Sequence, residues 1–192
     1  YLHVPFCRSR CGYCDFNTYT ASELRGMSTG DYLAAVLQEI TLAARVLGSG
    51  APEVTTVFVC GVTPTMLQAG ELSRLLDAIR ECFGLARDAE ITTEANPETV
   101  TPEYLRRLRE AGFTRISLGM QSAVPHVLEV LERAHTHGHG IDAALWARQA
   151  GFEHISLDLI FGAPGESTAD WKESLEAVAA APVDHVSAYS LI

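Results

Sequence analysis

The feature that most constrains the fold is a repeated unit, in which a short apolar strand is followed by an amphipathic helix. Residues 54–59 form a run rich in β-branched side chains, which is typical of a parallel strand buried on both faces. The segment 70–83 follows it and places its leucines at helical spacing. This alternation predicts a parallel α/β fold with right-handed crossovers. The other strands are predicted over 1–4, 90–94, 113–120, 154–160 and 184–190.

Local signals predict where the helices begin and end. Ser28, followed three residues later by Asp31, predicts the N-cap and capping box of a helix over 28–47. Gly138 and Gly140 predict an interruption in helical sequence that otherwise covers 125–150. The remaining helices are predicted over 101–112 and 167–179. Such a series of strands and crossovers fits either an open doubly wound sheet or a partial barrel, and periodicity does not separate the two.

The length and charge of the chain exclude several classes of protein. Its 192 residues suffice for one substantial core, and no linker-like segment divides them. The 24 acidic residues against 14 basic ones give a net charge of −10, which argues against a general surface for nucleic acid or anionic membranes. No apolar run approaches the ~20 residues that span a bilayer. We therefore expect a cytoplasmic protein without a transmembrane segment, and we interpret both ends as cut from a longer chain.

Three cysteines, Cys7, Cys11 and Cys14, lie within the first fourteen residues. Disulfides are not expected in an intracellular chain, so a metal or a cluster is the natural alternative. Thiolates at this spacing can turn toward one centre, and they select zinc, copper(I) or iron–sulfur clusters. Zinc normally takes a fourth protein ligand, whereas the next cysteine is the distant Cys60. Three cysteine ligands would leave one iron of a four-iron cluster open for a small molecule. A structural module stabilised by zinc or by a cluster stays an alternative.

The Cys-x3-Cys-x2-Cys spacing resembles the signature of the radical S-adenosylmethionine (SAM) superfamily. The flanking segments YLHVPFC and DFN resemble the branch that contains oxygen-independent coproporphyrinogen III dehydrogenase and the HemW-type haem chaperone. The resemblance covers essentially the whole chain. It implies that residues 1–192 are a radical SAM core domain, an α/β fold that forms a partial (β/α)6 barrel of the TIM type. It also implies a [4Fe-4S] cluster bound by Cys7, Cys11 and Cys14, with SAM on the fourth iron.

The same resemblance implies which residues contact SAM. The family has a turn of three glycines followed by Thr-Pro, and here Cys60 and Val62 replace the outer glycines. Glycine serves in such turns for positive φ or close approach, so Val62 bears directly on the geometry of this turn. Polar residues in apolar surroundings at later strand ends match further SAM-contacting positions, and burying them without a partner would be costly. The SAM contacts implied in this way are Tyr1, Gly61, Val62, Thr63, Glu94, Gln121, Arg133 and Asp158.

Phe16 separates the two members of the branch. The dehydrogenases carry a further cysteine two residues after the third ligand, and this chain has Phe16 there. The resemblance therefore favours a HemW-like chaperone, which binds haem and transfers it to an acceptor protein, with the haem site beyond residue 192. The alternative is oxidative decarboxylation of coproporphyrinogen III. Either function implies haem or a porphyrin as the ligand and an electron donor such as a flavodoxin or ferredoxin. His135, His137 and His139 also suggest metal or haem binding, although such a tract is usually a polar loop.

Overall fold

The computed structural model describes residues 1–20, 23, 26, 28–133 and 136–191, and within them the predicted parallel sheet is present. Six of the described strands form this sheet in the order β1-β4-β5-β6-β7-β8, and every neighbouring pair is parallel. The short β2 and β3 pair with each other in a separate ribbon. The strands are β1 (Leu2–Val4), β2 (Phe6–Cys7), β3 (Tyr19–Thr20), β4 (Val54–Gly61), β5 (Leu85–Ala95), β6 (Arg115–Gln121), β7 (His154–Phe161) and β8 (His185–Ser190).

The helices begin where the capping signals predict. The Ser28 side chain accepts a hydrogen bond from the Asp31 backbone N–H, and the Asp31 carboxylate accepts one from the Ser28 backbone N–H. This reciprocal pair satisfies two of the N–H groups that the first turn leaves unpaired. The helices are α1 (Thr29–Leu47), α2 (Ala69–Phe83), α3 (Pro102–Ala111), α4 (Pro125–Val130), α5 (His139–Gln149) and α6 (Thr168–Ala180).

The predicted interruption within 125–150 is confirmed at one glycine and is wrong at the other. Gly138 precedes α5 with a left-handed backbone, φ 79°, which explains the break between α4 and α5. Gly140 instead lies buried inside α5. A Cβ atom there would lie 2.8 Å from the Met120 side chain, so this glycine allows α5 to approach β6 closely. The same residue type therefore has a packing role rather than a helix-breaking one at position 140.

The core lies between the sheet and its crossover helices. The central strands are apolar and fully buried at Ile116, Leu118, Ile155 and Leu157, as a sheet covered by helices requires. Among the described residues, no helix is both long enough and apolar enough to span a bilayer. The parallel arrangement brings the carboxyl ends of all six strands to one edge, and this edge carries the candidate site.

Candidate functional site

A cavity of about 520 Å³ opens at the carboxyl ends of the strands. Each strand from β4 to β8 contributes to its wall, and the cysteine loop closes one side. The cavity brings together residues that the sequence separates widely, because parallel strands all end at the same edge. Its lining includes ten of the predicted site residues, namely Cys7, Cys11, Cys14, Gly61, Val62, Thr63, Glu94, Gln121, Arg133 and Asp158.

Tyr1 is the predicted site residue that is absent from the described lining of this cavity. It precedes the edge strand β1, and 71% of its surface is exposed. Its hydroxyl lies 2.8 Å from Nδ1 of His3 and also interacts with the thiol of Cys60, which in turn hydrogen-bonds Glu94. Tyr1 thus reaches the cavity wall through Cys60 rather than directly, and its predicted contact with SAM stays a prediction.

The cysteine loop is held in place by backbone hydrogen bonds. Cys7 ends β2 and is paired with Thr20 of β3, while the N–H of Cys14 donates to the carbonyl of Cys11 at 3.1 Å. The N–H of Gly12 donates to the carbonyl of Leu131 at 3.3 Å, which ties the loop to the turn after α4. The three thiols are free and partly buried. They are therefore held at the cavity but remain accessible from it.

The donor set fits a cluster better than a single ion. Within the described ranges, no three side chains of His, Cys, Asp or Glu are close enough to hold one metal ion. In an iron–sulfur cluster each cysteine binds a different iron, so thiols spread around one cavity can all serve. A tetrahedral zinc site would require its ligands to meet at one point. Cys7, Cys11 and Cys14 all line this one cavity, which is the arrangement that a cluster can use.

The turn after β4 needs glycine at one position. Gly61 has φ +124°, and a Cβ atom there would lie 2.7 Å from the carbonyl oxygen of Val4 and 2.9 Å from Nδ1 of His3. Cys60 and Val62 are not among the described residues with positive φ, so a side chain at either position does not strain the backbone. The two departures from the family pattern therefore add no backbone strain to the turn. The Val62 N–H donates to the Val4 carbonyl at 3.0 Å and fixes the turn against β1.

Two carboxylates lie in the wall with their charged forms disfavoured. Burial raises the pKa of Asp158, while hydrogen bonds from Ser117, 3.0 Å from Oγ to each carboxylate oxygen, act in the opposite direction. Burial also raises the pKa of Glu94, and the nearby charge of Asp158 adds to this effect. Burial raises the pKa of the Cys60 thiol to about 12, so Cys60 donates its proton to Glu94 in a hydrogen bond rather than ionising. A cationic or hydroxyl-bearing ligand would relieve the unfavourable burial of both carboxylates.

Gln121 ends β6 in a strained conformation. Its φ is +68°, which is uncommon for a residue other than glycine, and it is 9% exposed. The register between β6 and β7 shifts between Gly119 and Gln121, so the strand bulges where it meets the cavity. A Cβ atom on Gly119 would lie 2.7 Å from the Gln121 amide and 3.1 Å from Arg133, so an added methyl group would displace the ends of these two side chains. The bulge thus turns the Gln121 side chain toward the same wall as Arg133.

Sequence reasoning missed several lining residues. Ser117 orients Asp158, and its signal was a serine inside an otherwise apolar strand. Tyr13, between two of the cysteines, packs on a small apolar cluster that contains Val127 and Leu131. Phe16 and Tyr189 are 58% and 59% exposed and bring aromatic surface to the lining of the cavity.

The three histidines of the polar tract do not form a site in the described residues. His135 lies outside the described residues. His137 is exposed, whereas His139 begins α5 with its Nδ1 2.9 Å from a Glu98 carboxylate oxygen and its ring edge-on to Trp146. His139 therefore contributes to the packing at the start of α5.

Comparisons with known proteins agree with this geometry. A sequence model described as the radical SAM superfamily matches residues 1–178. The heme chaperone HemW of Mycobacterium tuberculosis is 53% identical over all of this chain and 49% of its own length. HemW of Bacillus subtilis is 37% identical over 100% of this chain and 50% of the relative. These similarities confirm the resemblance to the branch that the cysteine loop and its flanks predicted.

A solved structure confirms the fold. Coproporphyrinogen III oxidase (HemN) from Escherichia coli, described as a radical SAM enzyme, superposes with a TM-score of 0.89 at 30% identity. The superposition covers 100% of this chain and 43% of that one. The predicted partial barrel is therefore correct. The chain spans about half the length of the curated relatives it matches.

Proposed function

The chain belongs to the radical SAM superfamily, and we propose its function on that basis. The chain is proposed to bind a [4Fe-4S] cluster through Cys7, Cys11 and Cys14 and SAM in the adjoining cavity. It is further proposed to be the radical SAM core of a longer haem chaperone, which receives haem and passes it to an acceptor protein. The observation that carries the cofactor proposal is the shared cavity, in which the thiols and the buried polar residues face one space.

The residues of this chain suit the parts of SAM that they would hold. The partly buried carboxylates of Glu94 and Asp158 can accept hydrogen bonds from ribose hydroxyls or from an ammonium group. The guanidinium of Arg133 can pair with a carboxylate, and the turn at residues 61–63 lines the cavity where it can contact a bound ligand. When bound, a cluster of this kind supplies the electron that cleaves the SAM sulfonium reductively. An external donor such as a flavodoxin or ferredoxin would then return an electron to the cluster.

The similarity to HemW proteins supports the chaperone part of the proposal. The 53% identity covers every region that lines the cavity, and Phe16 occupies the position where the coproporphyrinogen dehydrogenases carry a further cysteine. A second candidate is oxidation of coproporphyrinogen III, which the superposition on HemN supports. The two functions differ in whether a porphyrinogen is converted or haem is only carried.

Anaerobic reconstitution of the full-length protein, followed by iron and sulfide analysis, tests the cofactor proposal. We expect about four irons per chain in the wild type. Replacing Cys7, Cys11 or Cys14 with alanine should abolish stable cluster binding, because each thiol holds one iron. Cys60→Ala and Cys82→Ala are matched controls that remove a thiol outside the loop and should keep the iron. A colourless wild type that contains only zinc would show that the proposal is wrong.

The two candidate functions are separated by turnover. The reduced, reconstituted protein is incubated with SAM and coproporphyrinogen III, and decarboxylated porphyrin is measured. The chaperone proposal predicts no decarboxylated product, and it predicts that bound haem is transferred to a haem-free acceptor protein. Product formation at a catalytic rate would establish the second candidate instead.

A further inference from the structure

Arg133 connects the cysteine loop to the end of β6. One guanidinium nitrogen, Nη1, donates a hydrogen bond to the sulfur of Cys11 at 3.4 Å. The other, Nη2, donates to the carbonyl oxygen of Gly119 at 3.1 Å. The two nitrogens of a guanidinium lie in one rigid plane, so the bond to Gly119 orients the bond to Cys11. The cation is therefore directed at a sulfur atom and not only at the open cavity.

Backbone contacts hold both partners of this hydrogen bond. The turn after α4 passes through Glu132, whose φ is +51°, and the N–H of Arg133 donates to the carbonyl of Leu128 at 2.9 Å. The neighbouring Leu131 accepts the hydrogen bond of Gly12, the residue that follows Cys11. Leu131 is 2% exposed within the apolar cluster. Cys11 and Arg133 are thus held by the same turn, which the buried Leu131 anchors, so their contact does not depend on a flexible side chain alone.

The cysteine sulfurs have different surroundings. The sulfur of Cys7 hydrogen-bonds with neutral groups, the carbonyl of Ser9 at 2.8 Å and the hydroxyl of Thr63 at 3.9 Å. Cys11 interacts with the cation of Arg133 and with the hydroxyl of Tyr13. The phenolic O–H of Tyr13 is a hydrogen-bond donor that can reach this sulfur. The sulfur of Cys11 therefore has two hydrogen-bond donors beside it, and one of them is charged.

We propose that Arg133 donates a charge-assisted hydrogen bond to the Cys11 thiolate of the bound cluster and thereby raises the reduction potential of that cluster. Reduction adds a negative charge to the cluster, and hydrogen bonds to its sulfurs and nearby positive charge stabilise the reduced form. A hydrogen bond from a charged donor is roughly twice as strong as a neutral one. This role rests on the proposed cluster but is separate from any contact of Arg133 with SAM, because Cys11 belongs to the protein.

A redox titration of the reconstituted full-length protein, followed by electron paramagnetic resonance, tests this role. It is run first without SAM, so that a contact between Arg133 and SAM cannot contribute. We expect Arg133→Met to make the cluster about tenfold harder to reduce at a fixed potential, which is a fall of about 59 mV for a one-electron couple. Arg8→Gln is the matched control, since it removes an exposed positive charge next to Cys7 and should leave the potential nearly unchanged.

The outcomes separate this role from the proposed function. Iron and sulfide in the wild type establish the cluster independently, so a failure of the cofactor proposal is seen before any variant is compared. A potential of Arg133→Met equal to that of the wild type, or a shift that occurs only with SAM present, overturns the inference. If Arg133→Met does not hold a cluster, Arg133→Lys is measured instead. Its reduction potential should fall by less, since the single ammonium group of lysine keeps the charge but has no second nitrogen to bind Gly119. Loss of the cluster from both variants would mean that Arg133 serves assembly, and this also overturns the inference.

Discussion

Replacing Gly61 with alanine should destabilise the protein strongly. The new Cβ atom would lie 2.7 Å from the carbonyl oxygen of Val4, a backbone atom that already accepts the hydrogen bond of Val62. The carbonyl cannot move away without breaking that bond and the pairing of β1 with β4. In addition, a φ of +124° is a conformation that alanine rarely adopts. Neither problem can be relieved by a change of side-chain rotamer.

The size of the effect follows from these two problems. A residue other than glycine in a sparsely populated backbone region costs about 1–3 kcal/mol. Forcing an extra methyl group into a packed site costs about 1–3 kcal/mol more. We therefore expect Gly61→Ala to lower the free energy of unfolding by about 2–6 kcal/mol, a large part of the roughly 5–15 kcal/mol that is typical of a domain. With a urea slope of about 2 kcal/mol/M, the unfolding midpoint should fall by about 1–3 M.

Urea unfolding of the cluster-free chain under reducing conditions, followed by circular dichroism, measures this midpoint. Gly70→Ala is the matched control, because Gly70 lies in α2 without positive φ, and outside its own helix backbone no atom comes within 4 Å of where the added methyl group would lie. Alanine should stabilise that helix by up to about 1 kcal/mol. A midpoint of Gly61→Ala within error of the wild type would refute the reasoning about the turn.

Two further predictions concern charge and capping. Because burial raises the pKa of Asp158 above its usual 3.8, the folded chain holds this proton more tightly than the unfolded chain, and the free energy of unfolding falls as pH rises above about 4. Asp158→Asn should therefore be more stable than the wild type at pH 7, and the difference in stability should shrink toward pH 3. Urea unfolding at several pH values measures this difference. A difference that did not change with pH would contradict the reasoning. Ser28→Ala should lower the free energy of unfolding by about 1 kcal/mol, because it removes the cap of α1. Ser49→Ala, on the exposed turn after α1, is the control and should change this free energy by less than about 0.5 kcal/mol. Thermal or urea unfolding measures both.

Features that depend on a few adjacent residues could be predicted from the sequence. The capping box at Ser28 needs only four residues and is found as predicted. The β-branched run correctly indicated the strand β4, but its burial on both faces is wrong, because buried and exposed residues alternate over 56–59. The extent of β5 was underestimated, because its first half, from Leu85, includes charged residues that lie along the edge of the core rather than within it. The short pairing of β2 with β3 gave no signal, since each has two residues.

The sequence suggested residues for the candidate site but not their geometry. The resemblance indicated Arg133 and Gln121, yet the positive φ of Gln121 arises from a bulge that only the pairing of β6 with β7 creates. The hydrogen bond from Arg133 to Cys11 joins residues 122 positions apart, and no local pattern encodes such a contact. Val62 illustrates the reverse case. Its departure from the family's glycines suggested an altered turn, whereas the backbone requires glycine at Gly61 alone among residues 60–63.

The order of strands in the sheet also bears on how the protein is made. Along the six-stranded sheet, spatial order follows chain order, so each strand docks on one that has already been synthesised. The sheet can therefore grow in one direction as the chain leaves the ribosome. The cavity behaves differently, because its wall runs from Cys7 to Leu191 and closes only when the last described strand is in place. We expect the cofactor pocket to mature last, so that a nascent or truncated chain presents its thiols before it has a complete chamber to enclose a cluster.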